Sequence, residues 1–212
     1  MGKDALVVKR EILFDGNEFQ GFLSLEERDF IKTIEGSHYY HPRGDELEEN
    51  KSLQQIIPYV WIVNPSEKKV LLYKRGVNQN KKGGEYRETR YLNKYSGGVG
   101  GHIDRDTEEG SDNPIERAMM RELMEEVSME LYPKPKIVGY INDDSDGIGS
   151  VHFGIVAIAE TTGIVKTKQE EGLSSGVFYS MDEVDEILAN PGNEVENWTR
   201  ISWPFVKDYL LK

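Results

Sequence analysis

The sequence predicts an α/β protein in which a mixed β-sheet is covered by helices on both faces. Two apolar runs, "PYVWIV" (58–63) and "KVLLYKR" (69–75), flank the turn "NPSEK" and predict a β-hairpin. Further along, "KIVGYIN" and the alternating "SVHFGIVAIAE" predict two more strands around the turn "DDSDG". One helical stretch lies between these two pairs and two more follow them, so a layered α/β fold accounts best for the order of elements.

The N-terminal part of the chain predicts a strand and a capped helix. "ALVVKREILF" (5–14) has the apolar content of a strand, and "SLEERDFIKTIEG" (24–36) has the period of a helix. Ser24 and Glu27 form a capping-box pattern at the start of this helix, and Gly36 offers a C-terminal stop. The polar stretch that follows predicts a loop.

The remainder of the chain predicts one domain to which this N-terminal part is an extension. "GVFYS" predicts a short strand, Ser180 with Glu183 opens the next helix, and the last twenty residues predict an amphipathic helix. We therefore expect an extension of strand plus helix at 1–55, packed on a core domain at 56–212.

The composition argues against several classes of function. The chain has 38 acids against 26 bases, whereas general binders of nucleic acid or anionic membranes carry basic surfaces. It contains neither an apolar run of about 18 residues that would predict a transmembrane helix nor the h-region of a secretory signal. The absence of cysteine excludes disulfides, thiolate metal sites and cysteine nucleophiles. We expect a cytoplasmic protein without nucleic-acid or membrane partners, and a homodimer stays open.

One segment of this acidic chain is basic. From Lys74 to Lys94, seven bases and two acids give a net charge of +5. This basic segment has two interpretations, a solvated loop or a local surface that binds anions.

The segment "RELMEEVSME" crowds acids onto a predicted helix at 114–129. At roughly 100° per residue, Glu122, Glu125 and Glu126 fall within about one quadrant. Three carboxylates on a rigid face are ligands for Mg²⁺ or Mn²⁺, although acidic helix faces are often only solvated. Arg121 lies four residues before Glu125 and can pair with it. The apolar side of the helix is expected to consist of Met119, Met120, Leu123, Met124 and Val127.

These residues resemble the signature of the Nudix hydrolases, G-x5-E-x7-R-E-U-x-E-E-x-G-U, in which U is bulky and apolar. Gly101 lies in "SGGVGGHID", and glycine lets a backbone carbonyl approach a metal closely. The run from Arg121 to Glu126 matches R-E-U-x-E-E in full.

Three departures from the signature concern the stretch around this run. The gap between Gly101 and Arg121 is six residues longer, the excess lying near "RDTEEGSD". Asn113 occupies the place of the first Glu, and Ser128 that of the closing Gly. Asn113 followed by proline still predicts a firm helix start, and Glu116 or an acid of the loop is left to replace the missing Glu.

The resemblance covers roughly residues 56–190 and implies a Nudix-like α/β/α sandwich with a mixed sheet. It implies hydrolysis, dependent on Mg²⁺ or Mn²⁺, of a nucleoside diphosphate linked to another moiety or of a similar organic diphosphate. The implied metal ligands are Glu122, Glu125, Glu126 and the carbonyl of Gly101.

The resemblance also implies residues that act on a small-molecule diphosphate. Arg121 orients a neighbouring carboxylate, and the base that takes the water proton is either Glu122 or a later loop acid, Glu170 or Glu171. His152 is expected to be a strand residue rather than a base. Under this resemblance the basic segment is a phosphate clamp, and the implied substrate-binding residues are Arg75, Arg43, Arg87 and Arg90.

Two alternatives remain beside hydrolysis. A catalytically silent Nudix-like module that binds or regulates would have no reason to keep all of R-E-L-x-E-E. Isopentenyl diphosphate isomerisation on a related fold resembles a reaction that needs an active-site cysteine, and the chain has none. The identity of the diphosphate cannot be read from these motifs.

Overall fold

The computed structural model describes residues 3–76, 93–168, 174 and 176–212. None of the helices in these ranges is long and apolar enough to cross a membrane. The elements in chain order are β1 (Asp4–Lys9), α1 (Arg10–Phe14), β2 (Gly21–Ser24), α2 (Ile31–Ser37), β3 (Tyr39–Pro42), α3 (Asp45–Glu49), β4 (Leu53–Asn64), β5 (Lys69–Lys74), β6 (Tyr95–Ser96), β7 (Gly98–Val99), α4 (Arg105–Glu108), α5 (Pro114–Glu126), β8 (Val127–Met129), β9 (Lys136–Asn142), β10 (His152–Glu160), β11 (Val165–Thr167), β12 (Val177–Ser180), α6 (Met181–Ala189) and α7 (Asn197–Leu211).

The chain divides into two compact units. β4, β10 and α5 each contribute residues to both units. The first unit consists of Met1–Tyr59, Gly100–Met119 and Ile137–Ala157, and the second of Val60–Val99, Met120–Lys136 and Ile158–Lys212.

The first unit is built around β1, whose middle residues are fully buried. β1 pairs antiparallel with both β3 and the start of β4, so that Val7 lies opposite Gln55. Beyond β4 the strand order continues through β10 and β9 to β2. Apolar side chains from successive positions are all buried in β1, as expected for a strand covered on both faces. These residues are Ala5, Leu6, Val7 and Val8.

An aromatic cluster fills the core of the first unit. Its rings pack mostly edge to face, with centroids 5.1–6.2 Å apart, the geometry that aromatic quadrupoles favour. The Tyr140 hydroxyl accepts a hydrogen bond from the Phe30 backbone N–H at 3.2 Å, so the polar end of this buried ring is satisfied. The cluster consists of Phe14, Phe19, Phe30, Tyr140 and Phe153.

The second unit places β5 between β12 and β4, with all pairs antiparallel. The buried Trp61 joins this sheet to α7, because its Nε1 donates to the Ser202 hydroxyl at 3.0 Å and its ring lies 5.9 Å from that of Trp203. Gly97 packs directly on Trp61, and a Cβ at this position would lie 2.1 Å from the indole ring. Only glycine fits there.

The predicted α/β class is confirmed, as are most elements after residue 56. The hairpin forms from β4 and β5, and the strands predicted around "DDSDG" are β9 and β10. α6 has the predicted capping box of Ser180 and Glu183. Hydrogen bonds from the Ser180 backbone N–H and hydroxyl hold the pKa of Glu183 below its usual value.

Three expectations for the N-terminal part were wrong. The strand predicted at 5–14 ends at Lys9, where α1 begins. Glu27 does accept a hydrogen bond from the Ser24 N–H, but the two residues close a turn after β2, and the helix starts only at Ile31. The predicted loop contains β3 and α3. The division into 1–55 and 56–212 remains a prediction, and its boundary falls within β4.

We predict that Gly36→Ala stabilises the protein. Gly36 lies inside α2 rather than beyond its end, and a Cβ there would meet nothing within 4 Å. Alanine should therefore raise the free energy of unfolding by about 0.5–1 kcal/mol. Denaturant titration measures this change. The control is Gly16→Ala, which should cost about 1–2 kcal/mol because Gly16 has φ +73°. A loss of stability in Gly36→Ala would restore the reading of Gly36 as a helix stop.

Candidate active site

Helix α5 begins as its sequence predicts. The Asn113 side-chain oxygen accepts a hydrogen bond from the Glu116 backbone N–H at 2.9 Å, and Pro114 is the first helical residue. The first N–H groups of a helix have no partner within it. The Asn113 oxygen supplies a partner for one of them, and proline at the first position has no N–H that needs one. The fully buried side chains of the helix are Ile115, Ala118, Met119 and Leu123.

The three carboxylates of the signature differ in burial. Glu122 is 8% exposed and lies beside the buried stripe, Glu126 is half-buried, and Glu125 is exposed. The expected apolar side was partly wrong, because Met124 is 48% exposed. The predicted end of the helix at Met129 was also wrong, because α5 ends at Glu126 and Val127 begins β8. The buried stripe is narrower than predicted, and Glu122 occupies its edge.

Arg121 holds two of these carboxylates. Its Nη1 donates to Glu122 Oε1 at 2.7 Å and to Glu125 Oε2 at 3.1 Å, as predicted for the second pair from its spacing. The Arg121 side chain is only 16% exposed, so the pairing with Glu122 is largely shielded from water. Charge-assisted bonds of this kind are short and directional. Arg121 therefore fixes the orientation of both carboxyl groups.

The carboxylates lie in the last turns of α5, where the helix dipole is negative. A helix C-terminus carries roughly half a negative charge, which favours cations and disfavours acids. Lys168 supplies one cation there, since its Nζ donates to the Met124 carbonyl at 2.5 Å and its backbone N–H donates to the Glu126 carbonyl at 2.8 Å. β11, which contains the residues just before Lys168, pairs with β8 just after α5.

These residues fit a hard divalent cation. Ionised carboxylates are the oxygen ligands that Mg²⁺ and Mn²⁺ take in proteins. Three of them project from one rigid helix, and the half-buried Arg121 fixes two of the three.

A second charged network of the second unit lies at the end of β5, around Arg75. Arg75 Nε donates to Glu196 Oε1 at 2.5 Å, and the Ser96 hydroxyl donates to Glu196 Oε2 at 2.7 Å. Glu196 is 4% exposed and directly precedes α7. Arg75 thus binds a buried carboxylate, a role that the sequence did not suggest. Its predicted role in phosphate binding remains a prediction.

The other predicted site residues belong to the first unit or lie outside the described ranges. Gly101 and Arg43 belong to the first unit, and Arg43 donates its backbone N–H to the Lys3 carbonyl at 3.0 Å. Their predicted contacts with metal or substrate stay predictions. The residues that lie outside the described ranges are Arg87, Arg90, Glu170 and Glu171.

The long gap before α5 contains a short helix, α4, with a buried acid. Glu108 is 1% exposed, and its Oε2 accepts hydrogen bonds from the Asp104 N–H at 2.7 Å and the Thr107 hydroxyl at 2.6 Å. The first of these bonds gives the N–H of Asp104, the residue before α4, a partner that the helix itself cannot supply. Glu108, an acid of the inserted loop, is therefore buried in the first unit and stabilises the start of α4.

Sequence reasoning missed a further cluster in the first unit. Glu48 of α3, His102 and His152 each offer one ligand atom, and these atoms lie within 4.8 Å of one another. His152 is a strand residue as predicted, at the start of β10. The proximity of the three could not be read from spacing, because each residue comes from a distant part of the chain.

The chain is similar to a known protein over almost its full length. No known family model matches the chain. The protein YmaB of Bacillus subtilis (strain 168) is 33% identical over 223 residues, which cover 99% of this chain and 98% of YmaB.

Solved structures match as well. Tm1382, described as a candidate Nudix hydrolase, has a TM-score of 0.76 and 23% identity, over 97% of this chain and 99% of that chain. A hydrolase of the Nudix family from Clostridium perfringens has a TM-score of 0.44 and 21% identity, over 74% of this chain and 98% of that chain. On the likeness to YmaB and Tm1382, the chain belongs to the family of YmaB and has the Nudix fold.

Proposed function

We propose that this protein is a divalent-metal-dependent pyrophosphohydrolase. Its substrate would be a nucleoside diphosphate linked to another moiety, or a similar organic diphosphate. The fold shared with Tm1382, which is itself described as a candidate Nudix hydrolase, supports the reaction class.

The observation that carries the proposal is the position of the three carboxylates. Glu122 repels Glu125 at i,i+3 and Glu126 at i,i+4 by about 0.2–0.5 kcal/mol per pair, and the helix dipole adds to the cost. Such an arrangement weakens the helix, and it becomes favourable when a cation binds. Together with the full R-E-L-x-E-E run, it points to a metal platform.

The residues of α5 would hold the cation and keep their geometry through Arg121. When bound, Mg²⁺ or Mn²⁺ would neutralise phosphate charge and make water a better nucleophile. Arg121 fixes Glu122 and Glu125 before any ligand arrives, so little reorganisation is needed. Glu126 would be the third carboxylate ligand, and the carbonyl of Gly101 stays the fourth predicted ligand.

The proton of the attacking water needs a base. Glu122 already binds Arg121 and is assigned to the metal, which makes Glu170 or Glu171 the better candidate. Two described residues close to these acids in sequence have contacts within the second unit. Lys168 is bound to the end of α5, and Ser174 donates its backbone N–H to the Lys74 carbonyl at the end of β5.

The diphosphate needs cationic partners, and Arg75 is the strongest candidate. It directly follows β5, at the start of the basic segment. A guanidinium carries five N–H donors in a planar fork suited to phosphate. The donor that binds Glu196 is Nε. Arg75 would then serve two roles, binding Glu196 and binding phosphate.

We predict that Glu126→Gln abolishes hydrolysis. Metal-stripped protein is first screened with Mg²⁺ against a panel of dinucleoside and sugar-nucleotide diphosphates, and the variant is assayed on the substrate found. The change removes one ligand charge with almost no change of shape, so the fold should persist, and the melting temperature in metal-free buffer should rise slightly. Glu130→Gln, at an exposed acid beyond β8, is the matched control and should keep full activity. Full activity of Glu126→Gln at saturating Mg²⁺ would contradict the metal platform, and no turnover of any diphosphate would favour a silent binding module.

We predict that one of Glu170→Gln and Glu171→Gln loses at least about a hundredfold in kcat, the range of general-base catalysis. The Mg²⁺ affinity should change little, because these residues are not assigned to the metal. The pH–rate profile of each variant should lose its acidic limb if the base is removed. Wild-type rates in both variants would return the role to Glu122.

We predict that Arg75→Ala impairs catalysis more than Glu196→Gln does. Both changes break the ion pair and should cost about 1.5–3 kcal/mol of stability, but only the first removes the guanidinium. Assayed at a temperature where both variants are folded, Arg75→Ala should lower kcat/KM by about ten- to a hundredfold relative to Glu196→Gln. Equal kcat/KM values would show that Arg75 acts only through Glu196.

A further inference from the structure

A compact set of metal-ligand side chains lies in the first unit, apart from the residues assigned to hydrolysis. Glu48, His102 and His152 come from α3, the turn after β7 and the start of β10. Their candidate ligand atoms lie within 4.8 Å of one another. The two imidazole rings meet edge to face, with centroids 5.6 Å apart. His152 is 6% exposed, and the other two are half-buried.

The hydrogen bonds around the two rings determine which nitrogen carries the proton. His152 Nδ1 lies 2.7 Å from the Ile148 carbonyl oxygen, which can only accept, so Nδ1 donates. The nitrogen that carries the lone pair in the neutral ring is therefore Nε2.

Gln55 fixes the other ring in the same way. Its amide nitrogen donates to Glu48 Oε1 at 3.3 Å, and a carboxylate can only accept, so the amide oxygen is the atom 2.8 Å from His102 Nε2. His102 Nε2 must then donate, which leaves the lone pair on Nδ1. Gln55 is fully buried in β4 and cannot reorient easily.

This is the pattern that surrounds histidine ligands of metals. Such histidines donate their second ring N–H to a carbonyl or carboxylate, and this bond fixes the tautomer and the ring orientation. Here both histidines do so, and the glutamine that orients His102 also binds Glu48. A solvated polar cluster does not require such linked constraints.

We propose that Glu48, His102 and His152 bind one divalent transition-metal ion with a preference for imidazole. Two imidazoles and one carboxylate suit Zn²⁺ or Co²⁺ and leave a fourth tetrahedral position open to water or a ligand. Mg²⁺ prefers oxygen ligands and is a poor fit. The ion would tie α3, the turn after β7 and the start of β10 together, and it would fix His102, the residue next to Gly101.

The test uses Co²⁺ as a spectroscopic probe on the full, metal-stripped chain. One equivalent of Co²⁺ should give a visible d–d absorption band that reaches saturation. Zn²⁺ should abolish this band by displacing Co²⁺, whereas millimolar Mg²⁺ should leave it unchanged. Glu48→Gln, His102→Gln and His152→Gln should each weaken Co²⁺ binding at least about tenfold, since even indirect partners of a metal change affinity by about 10–100-fold. Thermal unfolding without metal shows whether each variant folds. If the buried His152 variant does not fold, the half-buried Glu48 and His102 variants decide.

Two controls separate this site from others. His41→Gln, which removes a histidine outside the cluster, should keep the band. Glu126→Gln should also keep it while losing hydrolysis, so the two proposals can fail independently. The absence of a saturable band in the wild type, or its survival in all folded cluster variants, would overturn the proposal. Loss of the band in Glu126→Gln alone would overturn it as well, because it would place the ion on α5.

Discussion

Three carboxylates at the negative end of one helix create the electrostatic conflict on which the candidate site depends. Glu122 repels both Glu125 and Glu126, and the negative end of the α5 dipole disfavours all three carboxylates. The protein offsets this in part through Arg121, which binds two of them, and through Lys168, which binds the carbonyl groups at the helix end. The remaining negative charge is the physical basis for the proposed affinity for a divalent cation.

The neighbouring elements hold this helix in place. Asn113 and Pro114 start it, and its buried stripe anchors it to the core. After the helix, β8 pairs with β11, which brings Lys168 to the carbonyl end. A metal platform needs this rigidity, because ligands held in advance lose less entropy on binding.

The parts that could be predicted from the sequence are those set by short-range spacing. The acid quadrant of α5, its N-cap and the capping box of α6 each depend on residues within one or two turns. The hairpin of β4 and β5 likewise follows from two apolar runs around a turn. These signals survive because tertiary contacts reinforce the local preference.

The parts that could not be predicted depend on distant contacts or ambiguous local ones. Ser24 and Glu27 make a hydrogen bond of the capping-box kind, yet they close a turn, because the same local bond is compatible with both structures. Arg75 meets Glu196 across 121 positions of sequence. The group of Glu48, His102 and His152 is assembled by α3, β10 and the turn after β7, so no spacing could reveal it.

Anomalous diffraction from crystals soaked in Mn²⁺ with a non-hydrolysable diphosphate analogue tests most directly whether the carboxylates of α5 bind a metal ion. We expect an anomalous peak within coordination distance, about 2.0–2.5 Å, of carboxylate oxygens of Glu122, Glu125 or Glu126. A Glu126→Gln crystal treated in the same way should lose or weaken that peak. The absence of any peak at α5 in the wild type, with the analogue bound elsewhere, would contradict the claim.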